Sequence, residues 1–197
     1  MIEKKFYTAR YDIVFKNIVL SKSGKKILKG IIETVLKKKI DSIEIINSEL
    51  KKSKYREKGK TVDLLVKSEG KLINIEINNY VANYIRERNL SYLASNYVTS
   101  VNKGESYVNG PECIQINLTW KIEKDIIMGK YMLYEEKTMD IWSEKFVIYE
   151  IYMEKIMKIY YNKDKKLIEE YKYLIMLDLE KEELSKFQRG RENSERV

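Results

Sequence analysis

The sequence predicts one domain of mixed α and β structure, an α+β or mixed α/β fold, on three observations. Apolar residues at helical spacing sit near both ends of the chain, short alternating apolar runs fill much of its middle, and no proline-, glycine- or serine-rich linker separates the two. A chain of 197 residues with 44% apolar content is long enough to bury a sizeable core, and its length favours a single domain. That domain is expected to span residues 1–187. The remainder, QRGRENSERV from Gln188 to Val197, has almost no apolar residue with which to anchor itself and is expected to be a frayed, disordered tail.

The elements follow in order. Tyr11 to Leu20 (YDIVFKNIVL) opens the chain's first apolar segment, and in Lys25 to Leu36 the residues Ile27, Leu28, Ile31, Ile32, Val35 and Leu36 mark an amphipathic helix. Ser42 to Leu50 (SIEIINSEL) alternates briefly, as a strand entering a sheet would, and Lys51 to Lys60 is a basic, polar connector. Thr61 to Asn79 reads as a hairpin. Asn83 to Val101 carries Tyr84, Leu90, Leu93, Tyr97 and Val101 at helical spacing, with a stop at Asn102 to Gly104. Three more strands are expected at Cys113 to Leu118, Ile126 to Tyr134 and Lys145 to Met153. A closing helix is expected from Asp164 to Phe187, with Leu167, Ile168, Tyr171, Leu174, Ile175 and Leu179 on one face.

Composition excludes several chemistries. Histidine is absent, which removes Ser-His-Asp and Cys-His catalysis and histidine-ligated zinc, and leaves acid-base work to carboxylates, lysine, tyrosine or metal-activated water. Neither a G-x-x-x-x-G-K-[ST] loop nor a G-x-G-x-x-G turn is present. Cys113, the single cysteine, precludes an internal disulfide and reads as a small core residue. The opening residues lack the apolar run of a signal peptide, and no segment approaches the roughly 18 uncharged apolar residues of a membrane span. A soluble, cytoplasmic protein is expected. The formal charge of +8 would attract polyanions, and sixteen tyrosines could supply stacking faces for unpaired bases.

The hairpin carries the chemistry. With Glu69-Gly70 as a two-residue loop, Ser68 faces Lys71, partner numbers sum to 139, and Asp63 faces Glu76. Alternation then sends Val62, Leu64, Val66, Ile73, Ile75 and Ile77 to one side. Thr61, Asp63, Leu65, Lys67, Leu72, Asn74, Glu76 and Asn78 go to the other. Opposed carboxylates in such a pair repel unless compensated, and a divalent cation in an all-oxygen shell is a good compensator. The plainer alternative is a wet hairpin face on which Lys67, Arg56 or water balances the two acids.

The order D-x(12)-E-x-N across a hairpin, with a helix before it and a helix bearing Arg88 and Tyr92 after it, resembles the PD-(D/E)XK nuclease superfamily. More closely, the chain resembles the PD-(D/E)XK nuclease family transposases, related to the recombination-promoting nucleases. The pieces that carry this resemblance are YDIVFKNI, ILKGIIETVL, IINSEL, VDLLV, INIEINN, R-x-x-x-Y at Arg88 to Tyr92, KGESYV and FVIYEIYMEK, in that order.

The resemblance implies a restriction-endonuclease-like mixed sheet flanked by helices, with the site on the central hairpin. By position, Asp63 and Glu76 resemble the metal-binding acids, the backbone carbonyl of Ile77 the third ligand, and Asn78 the residue where the superfamily carries lysine and this family commonly glutamine. Glu49 falls in a matching segment as a candidate outer carboxylate. The implied activity is magnesium- or manganese-assisted phosphodiester hydrolysis, with DNA ahead of RNA as substrate. Arg88 would clamp a phosphate and Tyr92 would hydrogen-bond or stack; Lys67 or Lys60 could supply the charge that Asn78 lacks. A second reading treats the asparagine as a sign of lost cleavage. It makes the protein an inactive nuclease-like binder encoded by a phage or mobile element, with a nucleic-acid-processing complex as its target. A tyrosine-rich edge at Tyr149 to Tyr161 could also support a homodimer.

Overall fold

The computed structural model of the chain describes residues 7–46, 64–101, 104 and 106–194. Among the described residues, thirteen runs take regular structure: α1 (Asp12–Val19), α2 (Gly24–Leu36), β1 (Glu44–Ile46), β2 (Leu64–Ser68), β3 (Lys71–Asn78), α3 (Ile85–Ser100), a short 3-10 turn (Tyr107–Asn109), β4 (Glu112–Thr119), β5 (Met128–Tyr134), β6 (Ile141–Tyr152), α4 (Met153–Tyr161), α5 (Lys165–Met176) and α6 (Lys181–Ser194).

The strands form one sheet in the order β1-β2-β3-β4-β6-β5. The β1-β2, β2-β3 and β5-β6 pairs are antiparallel, whereas β4 lies parallel to both β3 and β6. A parallel pair needs a crossover, and α3 provides the one from β3 to β4. This is the mixed, helix-flanked sheet of a restriction-endonuclease-like α/β fold.

The hairpin turns where the sequence places it. Glu69 and Gly70 have φ of 47° and 73°, the two left-handed residues of a type I′ turn, and every β2-β3 pair from Leu64↔Ile75 to Ser68↔Lys71 sums to 139. Leu64, Val66, Ile73, Ile75 and Ile77 enter one continuous apolar core with Phe15 and Val19 of α1, Leu28, Ile31, Ile32 and Val35 of α2, Ile156 of α4 and Leu174 of α5. Fully burying one such aliphatic side chain contributes about 1.5–3 kcal/mol, so this face of the sheet, with four helices against it, carries the stability.

Three expectations change. The predicted closing helix is two, since α5 stops at Met176 and α6 starts at Lys181, with the buried Leu177, Asp178 and Leu179 between them. Asp178 accepts a two-pronged ion pair from Arg10, and the Leu177 carbonyl accepts from the Ala9 N–H at 2.9 Å, so this break clamps the start of the described chain. The stretch from Gln188 read as a tail is, as far as Ser194, the continuation of α6. Last, Tyr149 to Tyr161 is not an edge. It is the end of an inner strand followed by α4, and Tyr149 and Tyr152 are buried. Here the sequence alternation ends at Tyr152 and Met153, Ile156, Met157 and Ile159 resume at helical spacing.

No helix among the described residues is long and apolar enough to cross a membrane.

Candidate active site

The second face of the sheet is buried as deeply as the first, but by polar side chains. Asn74, Glu76 and Asn78 of β3 are 0%, 2% and 0% exposed. Gln115, Asn117 and Thr119 of β4, also buried, stand level with them through the pairs Asn74↔Gln115, Glu76↔Asn117 and Asn78↔Thr119. The cover is α3, which lays Asn89, Leu93 and Asn96 inward. Glu76 and its neighbours therefore do not form a wet hairpin face. The crossover between parallel strands necessarily places a helix over the sheet, and the sequence alternation alone could not show it.

Buried amides must find partners, and these do so largely with one another. The Asn74 Nδ2 group donates to Glu76 Oε1 at 3.1 Å and to Gln115 Oε1 at 2.9 Å. Gln115 Nε2 donates to Asn117 Oδ1 at 2.8 Å, and Asn89 Nδ2 from α3 donates to the same oxygen at 2.9 Å. Asn117 Nδ2 passes the chain on to Glu150 Oε2 of β6 at 2.9 Å, and the Thr119 hydroxyl donates to the other Glu150 oxygen. One network thus joins two carboxylates. Glu76 and Glu150 flank Asn117 in a single row across three strands, which puts their main chains roughly 10 Å apart.

Arg88 closes the end of this layer. Its guanidinium donates to Asn78 Oδ1 at 2.8 Å, to the Tyr80 hydroxyl at 3.1 Å and to Asn89 Oδ1 at 3.3 Å, and lies 3.6 Å from Glu76 Oε2. The ring of Tyr92, four residues along α3, lies 5.8 Å from the guanidinium carbon. The structure therefore brings Glu76, Asn78, Arg88 and Tyr92 together. Ile77 lies between the two site residues of β3 with its side chain in the opposite core. Lys67 does not join them: exposed and opposite Leu72, it stands four residues along the strand from Glu76, or about 13 Å. Asp63, Lys60 and Glu49 lie outside the described residues.

Several members of the site were missed in the sequence. Asn74, Asn89, Gln115, Asn117, Thr119 and Glu150 build the layer that holds Glu76. A signal for part of it was present: in ECIQINLT, Gln115, Asn117 and Thr119 alternate with Ile114, Ile116 and Leu118 just as Asn74, Glu76 and Asn78 alternate with isoleucines. Beside Glu150, burial and a hydrogen bond with Tyr131 hold the Tyr152 hydroxyl well above the ordinary tyrosine pKa.

The donor set suits a hard divalent cation. Carboxylate, amide and main-chain oxygens are the ligands that magnesium and manganese prefer, and neither thiolate nor imidazole is near. Asn78 Nδ2 is buried without a hydrogen-bond partner among the described residues, which leaves a donor for a water or an anion oxygen. Among the described residues no three histidine, cysteine, aspartate or glutamate side chains cluster.

The helix-covered mixed sheet is that of the restriction-endonuclease-like α/β class. The family model of the PD-(D/E)XK nuclease family transposases matches residues 9–195, and the chain belongs to that family. No curated protein and no solved structure matches it.

Proposed function

We propose that the protein is a metal-dependent phosphodiesterase, a DNA endonuclease associated with mobile elements or recombination, acting through Glu76 and its surroundings. The observation that carries this reading is a nearly fully buried Glu76 carboxylate 3.6 Å from Arg88, in a chain that belongs to a nuclease family. An unneeded buried ion pair is weak evidence of stability, because desolvation offsets the attraction, and such pairs concentrate where chemistry needs them.

In this reading Glu76, Asp63 and the Ile77 carbonyl hold a magnesium or manganese ion, which when bound activates water and neutralises charge on the phosphate. Asp63 is given this role from its place in the order D-x(12)-E-x-N of the sequence. Arg88 supplies the fixed positive charge that Asn78 cannot. Three side-chain oxygens, those of Asn78, Tyr80 and Asn89, orient its guanidinium, so little reorganisation is needed when a phosphate oxygen arrives. Asn78 has a positioning role through Oδ1, while Nδ2, without a partner among the described residues, would donate to the attacking water or to a phosphate oxygen.

The test is plasmid nicking with magnesium, manganese or EDTA, using wild type, Asp63→Ala and Glu76→Ala. Metal-dependent cleavage lost in both folded variants is the expected result. Asn78 in place of a lysine favours the second reading, an inactive nuclease-like binder. Folded wild type that cleaves neither DNA nor RNA with either metal would replace the hydrolase with that binder.

A further inference from the structure

The segment that leads from β3 into α3, Asn79 to Tyr84, lies at the mouth of the polar layer and is unusually apolar for a surface turn. Tyr80, Val81 and Tyr84 are 42%, 62% and 58% exposed. Large apolar side chains gathered at the rim of a polar site mark a surface that binds something. Their position is fixed rather than loose. The Tyr80 hydroxyl accepts from one Arg88 nitrogen at 3.1 Å, while another nitrogen of the same guanidinium reaches Asn78 at 2.8 Å and Glu76 at 3.6 Å. Tyr84, at the start of α3, is hydrogen-bonded to Tyr80. Tyr80 is therefore tied by its hydroxyl to the cation that faces the proposed reaction centre, with Tyr84 beside it, and about half of the surface of each residue is open to solvent.

We infer that Tyr80 and Tyr84 form a stacking site for an unpaired nucleobase next to the phosphate held by Arg88, so that the preferred substrate is a single-stranded segment, end or flap. This inference rests on the nuclease reading. The chemistry is specific to a base out of the stack: within a duplex both faces of each base are covered by neighbours, whereas a frayed or single strand presents a free face to an aromatic ring. One guanidinium contacts Tyr80, Asn78 and Glu76, which places Tyr80 next to the group that would hold a phosphate. Neither ring carries charge, so the site adds strand selectivity without adding phosphate affinity, which remains with Arg88.

The experiment measures binding in EDTA, where metal-dependent cleavage is suppressed. Short 2-aminopurine-labelled oligonucleotides, single-stranded and as blunt duplex, in DNA and RNA forms, are titrated with wild type, Tyr80→Phe, and Tyr80→Ala with Tyr84→Ala. Stacking quenches the label. The expected result is quenching of the single strands by wild type and by Tyr80→Phe, with an affinity loss of about tenfold or more in the double alanine variant and little change for blunt duplex. Whichever of DNA and RNA quenches more names the sugar. Equal losses for single strand and duplex would overturn the base site and make the tyrosines backbone contacts; unchanged affinity, or no nucleic-acid binding by wild type, would overturn it outright. Cleavage is scored separately with metal. Tyrosine-dependent quenching without metal-dependent cleavage would sink the hydrolase and leave the base site standing, and cleavage without tyrosine-dependent quenching would do the reverse.

Discussion

The charge balance between Glu76 and Arg88 can be tested as a free energy. Their closest atoms are 3.6 Å apart, the Glu76 side chain is 3% exposed and the Arg88 side chain 25%. At an effective dielectric of about 20, two unit charges at that separation attract by roughly 5 kcal/mol. Truncating one partner of a buried pair typically costs about 3–5 kcal/mol, because the other charge is left in a medium that solvates it poorly. Arg88 is partly wet and Asn74 still donates to Glu76, so Arg88→Ala is expected near the lower end, about 3 kcal/mol. For a chain of this length that lowers Tm by about 6–12 °C.

Glu76→Gln is expected to change stability by about 1 kcal/mol at most, since glutamine keeps the volume and its oxygen can accept from Asn74, and the exposed quarter of Arg88 can be hydrated. The decisive variant is the double one. Arg88→Ala with Glu76→Gln should recover about 2 kcal/mol or more of the Arg88→Ala loss, because no charge is then stranded in the layer. Urea unfolding of the four proteins in EDTA measures this cycle. Single effects that add to within about 0.5 kcal/mol would refute the pairing and with it the argument that Arg88 is held at the site by Glu76.

The remaining predictions concern charge, acid and the lone thiol. If Arg88 stands in for the superfamily's lysine, Arg88→Ala should lower cleavage about 100- to 1,000-fold, and adding Asn78→Lys should restore part of it; no rescue in a folded double variant would speak against the substitution. Glu69, which accepts from the Asp41 N–H and pairs with Lys38, and Glu170, paired with Lys37, are both held below their ordinary pKa of 4.5. A depressed pKa adds stability that is full above the unfolded value and lost as pH falls through the folded one, so Tm should decline below about pH 4.5, and less steeply in Glu69→Gln with Glu170→Gln. An unchanged acid slope would remove these two carboxylates from the account. Burial pushes the Cys113 thiol up to about 12, so a thiol reagent at mildly alkaline pH should label it only in denaturant; rapid labelling of the folded protein would contradict its place in the sheet.

How much of this was legible depended on range. The β2-β3 register could be derived because a two-residue turn fixes it locally, and the left-handed pair Glu69-Gly70 confirms that turn type. The helical face of Arg88 and Tyr92 was likewise a matter of spacing. What the sequence could not show was which strands lie side by side. Nothing local in CIQINL says that Asn117 stands beside Glu76, and nothing in FVIYEIYM says that Glu150 stands beside Asn117, because both pairings join strands separated by helices or long connections. The same gap made Tyr149 to Tyr161 look like an edge: β5 precedes β6 in the chain but takes the outer place in the sheet. The break at Leu177 to Glu180 was hidden because Leu177 and Leu179 are apolar and buried, so helical spacing ran on across it.

The polar layer raises a question of economy that the two faces of the sheet answer together. A satisfied hydrogen bond adds about 1 kcal/mol net, less than a buried aliphatic side chain of similar size, and Asn78 Nδ2 and Asn74 Oδ1, without a partner among the described residues, are each unfavourable. A sheet covered on both faces would be more stable with leucine at these positions. Stability is instead concentrated on the face toward α1, α2, α4 and α5, and the face beneath α3 is left to dipoles. Neutral amides can hold a carboxylate and a guanidinium in fixed positions without titrating and without adding charge of their own. Asn78 illustrates the consequence. It brings no positive charge to β3, but its oxygen holds one delivered from α3, so the electrostatics of the site depend on how that helix is docked. The Asn89-Asn117 hydrogen bond is one of the contacts that dock α3 on the sheet, with buried Leu93 and Asn96, so a buried amide helps to determine where the site's cation stands.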